Sequence, residues 1–170
     1  MRFSQAISEG DGISLIVEVA DVEAARAAAA QGAEALIVRA SIGSVDLPSL
    51  WRGSPRASDA LAAGADAWIM SVEDVGDGAE PDAGLDLVVE VSNAEELELA
   101  LERFDPEIVL FTVGDDDEAD ALEHALELLP DLPAGKLAIA ELPGPRRDHV
   151  EELERAGVDA VIVGDTVPAA

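Results

Sequence analysis

The sequence has no cysteine, a single lysine (Lys136), and only 3% aromatic residues. Without cysteine the chain can form no disulfide, no thiolate nucleophile and no zinc site with cysteine ligands. No apolar run approaches the roughly 18 residues that a membrane-spanning helix needs, so we expect no membrane association. The first four residues are followed by Glu9 and Asp11 rather than by the apolar core of a signal peptide. We therefore expect a cytoplasmic protein.

Basic residues are also scarce, because 37 aspartates and glutamates face only 10 lysines and arginines, and the formal net charge is -27. Such a charge repels nucleic-acid backbones and anionic membranes, and no basic patch offsets it, so we expect no nucleic-acid partner. The composition indicates one of two backgrounds. One is a salt-adapted cytoplasm, where concentrated salt screens the self-repulsion, and the other is an ordinary acidic protein from a GC-rich genome.

Apolar residues, by contrast, are plentiful: they make up 49% of 170 residues, enough for the core of one compact domain. The clearest unit has two short apolar runs, residues 85–91 and 108–113, on either side of a segment in which Leu97, Leu101 and Phe104 recur at helical spacing. This order of strand, amphipathic helix and strand is typical of a parallel βαβ crossover.

The same alternation continues along the chain and predicts eight strands. They cover residues 13–19, 35–38, 50–52, 67–71, 85–91, 108–113, 137–140 and 160–163. Three helix-to-strand joints repeat one pattern, in which Gly32, Gly64 or Gly157 ends a helix and an acidic residue follows two positions later. Eight strands alternating with helices favour a closed (β/α)8 barrel over an open doubly wound sheet.

The length of the chain limits how such a barrel can be built. A typical (β/α)8 barrel has about 250 residues and rarely fewer than about 200. With 170 residues, we expect an unusually small barrel whose helices are missing or reduced after strands 2, 4 and 8. Strand faces left bare in this way need a subunit contact or unusually compact loops, and we predict a homodimer through the uncovered faces.

Three glutamates, Glu18, Glu90 and Glu141, occur at the C-terminal ends of strands 1, 5 and 7. Alternation of side chains places all three on the inner face, so they should meet at the C-terminal mouth of the barrel, where parallel α/β folds bind ligands. Three carboxylates there would raise at least one pKa unless a cation lies among them, and Arg52 and Arg39 are the nearest basic candidates. We predict no metal site. An equally simple interpretation of these three glutamates is that the mouth is filled with water and binds no ligand.

Five segments resemble the indole-3-glycerol-phosphate synthase family in order and spacing. They are RFSQAISEGDGISLIVEV, LPSLWRGS, ALAAGADAWIMSV, LDLVVEVSNAEELELAL and AELPGPRRDHVEELERAGVDAVIVGDT. Members of that family are (β/α)8 barrels of tryptophan biosynthesis. They close the indole ring of a carboxyphenylamino-deoxyribulose phosphate with loss of carbon dioxide and water. The resemblance therefore implies a phosphorylated small-molecule ligand and no cofactor.

Carried over to this chain, the resemblance implies that the catalytic residues are Glu18, Glu90, Glu141 and Arg52. The three glutamates match the family pattern, but Arg52 replaces the lysine that acts as the general acid. An arginine cannot release a proton near neutral pH, although it can bind an anion. Two further family features are lost, because Ala20 replaces a lysine of strand 1 and the Ser-Pro-Ser loop after it is absent.

The phosphate-binding turns are only partly retained. Gly144 matches the glycine after strand 7, but Pro143 before it removes a backbone donor. Gly164, Asp165 and Thr166 resemble the Gly-Glu-Ser segment after strand 8. We therefore predict that Gly144 and residues 164–166 bind the phosphate.

Two functions remain open. Two lysines, a loop and the asparagine expected after strand 6, where Thr112 stands, are missing together. Their joint loss favours a barrel that has lost the parent reaction and serves as a binding or assembly module. The alternative is an active lyase or isomerase acting on a phosphorylated sugar derivative, with Glu90 and Glu141 as acid and base and Arg52 binding an anion.

The two histidines of the chain, His124 and His149, lie on predicted helices beside acidic residues, and we expect both to be solvated.

Overall fold

Eight short parallel strands close into one ring in the order β1 to β8, with β8 paired to β1. The computed structural model describes residues 3–8, 12–43, 45–53, 56–72, 85–112, 118–142 and 147–164. Every neighbouring pair of strands is parallel. The predicted (β/α)8 barrel is therefore confirmed.

The strands and helices alternate along the chain after one helix that precedes the first strand. The strands are β1 (Ser14–Glu18), β2 (Ala35–Val38), β3 (Ser49–Trp51), β4 (Ala67–Ser71), β5 (Asp86–Val91), β6 (Ile108–Phe111), β7 (Leu137–Glu141) and β8 (Ala160–Ile162). The helices are α1 (Phe3–Ser8), α2 (Val22–Ala30), α3 (Ala57–Ala62), α4 (Ala94–Arg103), α5 (Glu118–Leu128) and α6 (Arg147–Ala156), and a 3-10 turn, Leu129–Asp131, follows α5.

The connection between β2 and β3 is one of the three places where the sequence predicts a missing or reduced helix. The residues described there, 39–43 and 45–48, form no helix, as expected. The other two places, residues 73–84 after β4 and 165–170 after β8, lie outside the described residues. Helix α3 has only six residues, which also shortens the crossover from β3 to β4.

The barrel interior is a separate apolar cluster formed by alternate residues of the strands, because side chains of a strand point in turn to its two faces. The strand residues of this cluster are Ile16, Ala35, Ile37, Leu50, Ala67, Ile69, Val88, Ile108, Leu110, Ile139, Ala160 and Ile162. The intervening residues form a second cluster with the helices outside the ring. The short strands thus bury both faces.

Helix α1 closes the N-terminal end of the barrel. Its Phe3 and Ile7 are 0% and 2% exposed and belong to the interior cluster. The backbone N–H of Ser4 donates to the buried carboxylate of Asp86 at 2.9 Å, which ties α1 to the start of β5. This short helix therefore plugs the N-terminal end of the barrel.

Side-chain caps fix the starts of two helices, α2 and α4. Asp21 Oδ1 accepts a hydrogen bond from the N–H of Ala24 at 2.7 Å, and Asn93 Oδ1 accepts one from the N–H of Glu96 at 2.8 Å. The carboxylate of Glu96 in turn accepts from both the N–H and the hydroxyl of Ser92, each at 2.7 Å. The end of β5 is therefore bonded directly to the first turn of α4.

The three repeated joints share one hydrogen-bond geometry. Gly32, Gly64 and Gly157 have φ values of 101°, 77° and 100°, in the left-handed region that glycine adopts without a Cβ penalty. Each glycine N–H bonds the carbonyl three residues earlier, and the next N–H bonds the carbonyl five residues earlier. This is the Schellman arrangement, which turns each helix sharply into the following strand.

The acidic residue of each joint bonds to the beginning of the preceding strand. The three contacts join Glu34 Oε2 to the Ser14 hydroxyl at 3.1 Å, Asp66 Oδ2 to the Ser49 N–H at 2.9 Å, and Asp159 Oδ2 to the Ala138 N–H at 2.8 Å. Burial raises the pKa of Asp159, and the bond from Ala138 opposes that shift only in part. These carboxylates therefore fasten the N-terminal end of the barrel.

Candidate functional site

Five charged side chains gather at the C-terminal ends of β1, β2, β3, β5 and β7. We call Glu18, Arg39, Arg52, Glu90 and Glu141 the mouth cluster. Each lies two residues after an interior apolar residue of its strand, so the same alternation that fills the core directs these side chains to the mouth. The structure therefore brings together the glutamates that the sequence singles out.

Arg52 is the centre of this cluster. Its Nη1 lies 2.5 Å from Glu141 Oε2 and its Nη2 lies 2.6 Å from Glu141 Oε1, so the two side chains form a bidentate ion pair. The same Nη2 lies 3.4 Å from Glu90 Oε1, a longer and weaker contact. The Arg52 side chain is 16% exposed. It therefore joins β3 to β7 and β5 across the mouth.

Arg39 forms the second pair, at the outer edge of the mouth. Its Nε donates to Glu18 Oε1 at 2.5 Å, and the two side chains are 59% and 36% exposed. The cation that the three glutamates require is thus supplied by the protein itself, from two arginines on neighbouring strands.

Charge in the mouth cluster holds Arg52 in its protonated form. The bond to Glu141 raises the pKa of Arg52, and the charges of Glu141, Glu90 and Glu18 add to this effect, whereas burial acts in the opposite direction. An arginine whose pKa is raised further cannot donate a proton at neutral pH. Arg52 can therefore hold and orient the carboxylates of Glu141 and Glu90, but it cannot act as a general acid.

The predicted phosphate-binding residues are described only in part. Gly164 has a φ of 83°, and its carbonyl accepts a hydrogen bond from the N–H of Glu18 at 2.7 Å. The turn after β8 is therefore bonded to the strand that ends in Glu18. Gly144, Asp165 and Thr166 lie outside the described residues, so phosphate binding at these positions stays a prediction.

Metal ligation finds no support in the described ranges, where no group of three or more histidines, aspartates and glutamates is arranged to hold an ion. Thr112, the residue predicted to stand in place of the family's asparagine, directly follows β6 and is 9% exposed. Its N–H bonds to the Val91 carbonyl at 3.0 Å and continues the ladder between β5 and β6.

No helix of the described chain has the length and apolar character that crossing a membrane requires.

His124 corrects one expectation from the sequence. It is half-buried on α5, and its Nε2 is hydrogen-bonded to the carbonyl of Ser92, two residues beyond Glu90. The prediction that His124 is solvated is therefore wrong. A contact between residues 32 positions apart leaves no mark in local periodicity, and only the closed barrel brings the two elements together.

Comparison with curated proteins shows partial similarity to the indole-3-glycerol phosphate synthases of three bacteria. The protein of Variovorax paradoxus is 37% identical over 82 residues, 48% of this chain and 31% of that protein. The matches in Geobacillus sp. and Acidithiobacillus ferrooxidans are 31% identical over 87 residues and 30% over 125, covering 51% and 71% of this chain and 34% and 46% of those proteins. The chain spans less than half the length of these relatives.

No family model matches the chain. Among solved structures, thiamine phosphate pyrophosphorylase from Pyrococcus furiosus superposes with a TM-score of 0.69 and 22% identity, covering 91% of this chain and 87% of that one. The N-acetylmannosamine-6-phosphate 2-epimerase from Clostridium perfringens gives a TM-score of 0.74 and 16% identity over 99% and 91% of the two chains. The chain is therefore a small (β/α)8 barrel with partial sequence similarity to the indole-3-glycerol phosphate synthases.

Proposed function

We propose that the mouth of this barrel binds a phosphorylated small molecule and does not perform the ring-closing decarboxylation of the indole-3-glycerol-phosphate synthases. The first half is supported by the similarities, since the curated relatives and both structural neighbours are named for phosphorylated compounds. Gly144, Gly164, Asp165 and Thr166 are the proposed phosphate-binding residues.

The loss of the parent reaction rests on one observation, the double contact between Arg52 and Glu141. The resemblance puts the general acid at position 52, where an arginine with a raised pKa holds its proton. Both oxygens of Glu141 are engaged by the same guanidinium, so this carboxylate is not free to exchange a proton either. Two of the four implied catalytic groups thus neutralise each other.

A second candidate, a lyase or isomerase acting on a phosphorylated sugar derivative, is supported by Glu90. Its single contact with Arg52 is long, at 3.4 Å, and its side chain is 31% exposed. Among the mouth carboxylates, Glu90 is therefore the one best placed to take a proton from a bound ligand. The weak contact between Glu90 and Arg52 is therefore the observation that supports this second candidate.

The assembly state is a separate part of the proposal. A cleft of about 490 Å³ lies beside the helix-free connection after β2, lined in part by Ile42, Val45, Leu47 and the exposed Leu61. Both faces of β2 are buried within the chain, so the bare strand faces expected from the sequence are not found there. We propose instead that the surface around this cleft meets its copy in a homodimer of a cytoplasmic protein. Sedimentation equilibrium of the wild type and of a Leu61→Glu variant measures this directly, since a dimer through this face should dissociate in the variant.

The functional test combines binding with turnover. Calorimetric titration with indole-3-glycerol phosphate in concentrated salt should show binding, while incubation with the carboxyphenylamino-deoxyribulose phosphate substrate should form no indole product. Glu98→Gln, an exposed carboxylate on α4, is the matched control and should behave like the wild type. Turnover that Glu90→Gln abolishes and Glu98→Gln leaves intact would establish the second candidate instead. If neither these two compounds nor inorganic phosphate binds the wild type, both candidates fail.

A further inference from the structure

We infer that Arg39, oriented by Glu18, is the residue of the mouth cluster that binds an oxyanion of the ligand. This inference rests on the proposed function of the mouth as a binding site. It differs from the expectation drawn from the sequence, in which Arg52 binds the anion. The distinction follows from which hydrogen-bond donors of the two guanidinium groups are already in use.

A guanidinium group has five N–H donors and one positive charge. Arg52 directs both terminal nitrogens at Glu141 and Glu90, so one positive charge already faces two negative ones. An incoming anion would have to displace a two-point contact and would then lie against two carboxylates. Arg52 is therefore a poor anion site unless the mouth cluster rearranges.

Arg39 has the opposite arrangement. It donates through Nε alone to Glu18, and no other described group accepts a hydrogen bond from it. Because its side chain is 59% exposed, the two terminal nitrogens remain accessible at the mouth. A pair of terminal N–H groups in one plane matches the two oxygens of a carboxylate or a phosphate.

Glu18 determines how this fork is presented. The N–H of Glu18 bonds the Gly164 carbonyl at 2.7 Å, so its backbone is held in the barrel wall beside the turn after β8. The carboxylate bond to Nε then limits rotation of the planar guanidinium. Glu18 thereby orients Arg39 while leaving its terminal edge open, although its negative charge also competes with an incoming anion.

The backbone beneath Arg39 is also constrained. Gly53, just beyond β3, packs so closely that a Cβ added there would lie 2.8 Å from the Arg39 carbonyl oxygen and would overlap the Trp51 ring. A side chain at position 53 would therefore push the two strand ends apart. The close contact holds the base of Arg39 in place beside Arg52.

The oxyanion could be a phosphate or a carboxylate, and two probes distinguish them. The arginine Nε–H signals in a ¹⁵N correlation spectrum should be followed during titration with inorganic phosphate and, separately, with acetate, at constant ionic strength. The Arg39 signal, assigned by its absence in Arg39→Gln, should shift and saturate. A larger response to one probe identifies which oxyanion Arg39 prefers.

Two variants test the role of each partner. Arg39→Gln should raise the dissociation constant of the preferred probe by about tenfold or more, because a charge-assisted bond is lost. Glu18→Gln should lower it several-fold, since the amide still accepts from Nε while the competing charge is removed. Arg103→Gln, an exposed arginine on α4, is the matched control and should change neither.

The outcomes separate the inference from the proposed function. In one outcome, the wild type binds indole-3-glycerol phosphate, and Arg39→Gln binds this compound and both anion probes with the same affinity as the wild type. The inferred role of Arg39 is then wrong, while the proposed binding site stands. The same conclusion follows if the probes shift the Arg52 signal and leave Arg39 unchanged. If no phosphorylated compound binds the wild type, the proposed function itself fails.

Discussion

The two ends of this barrel use the same residue type, a carboxylate, in different ways. At the N-terminal end, Asp66, Asp86 and Asp159 accept hydrogen bonds from backbone N–H groups. In the mouth cluster, Glu18 and Glu141 pair instead with the side chains of arginines. The donors of these three bonds are backbone groups fixed by the fold, whereas those of the mouth cluster are carried on rotatable side chains.

This difference separates stability from binding. Each backbone N–H at the N-terminal end is held in place by its own strand or helix, so a side-chain oxygen bonded to it ties two elements of the fold together. A guanidinium can turn to another acceptor without disturbing the barrel, so the mouth cluster can exchange partners. Basic side chains are scarce in a chain with a formal charge of -27, which has only ten lysines and arginines. Two of these ten, Arg39 and Arg52, nevertheless lie at the mouth.

The largest effect should follow removal of the plug at the N-terminal end. Phe3→Ala leaves a cavity inside the barrel where the ring is 0% exposed, and we expect a loss of about 3 to 5 kcal/mol in the free energy of unfolding. Urea unfolding measures the change. Leu99→Ala on α4, where the side chain is 37% exposed, should cost less than about 1 kcal/mol. Equal losses would show that α1 does not close the barrel.

The mouth cluster should show a smaller effect that differs between its two pairs. Arg52→Ala leaves Glu141 and Glu90 facing each other without a cation, and we expect a loss of about 2 kcal/mol. Arg39→Ala removes an exposed pair and should cost no more than about 0.5 kcal/mol. Thermal or urea unfolding of both variants at one salt concentration provides the comparison.

A double-mutant cycle shows whether the Arg52 effect belongs to the pair. Glu141→Gln added to Arg52→Ala should restore about 1 kcal/mol, because the unpaired charge disappears with its partner. A cycle without coupling would mean that Arg52 contributes by packing alone. A loss in Arg39→Ala as large as that in Arg52→Ala would remove the contrast between the buried and the exposed pair.

The fold was predictable because its determinants are local. Short apolar runs separated by helical periodicity give the eight strands, and a glycine such as Gly157 ends a helix wherever a left-handed residue is required. Alternation along a strand also places Glu18, Glu90 and Glu141 on the inner face. These inferences need no knowledge of which distant elements meet.

The pairings within the site were not predictable in the same way. Which glutamate meets Arg52 depends on the register of barrel closure and on side-chain rotamers, and both Glu141 and Glu90 satisfy the sequence pattern equally well. The plug formed by Phe3 and the bond from His124 to Ser92 likewise join elements that are far apart in sequence. Local periodicity has no information about such contacts.

The smallest expected effect concerns Asp159 at the N-terminal end. Burial raises its pKa above that of the unfolded chain, so the folded state binds the proton more tightly and the ionised form is penalised. This penalty is fully present above the folded pKa and disappears as the pH falls below the unfolded value. Asp159→Asn, whose side-chain oxygen can still accept from Ala138, should therefore stabilise the protein at neutral pH by about 0.5 kcal/mol.

The pH dependence separates burial from the general relief of charge repulsion. The advantage of Asp159→Asn should shrink as the pH falls through the folded pKa of Asp159, since the wild-type carboxyl then becomes neutral as well. Asp66→Asn, which removes the same charge from an equivalent joint, is the matched control and should give a smaller gain at neutral pH. Urea unfolding of the three proteins between about pH 3 and 8 measures the difference, because this range spans the ordinary aspartate pKa of about 3.9 and the values above it. Identical gains in the two variants would mean that Asp159 is not penalised by burial and that its carboxylate only adds to the negative charge of the chain.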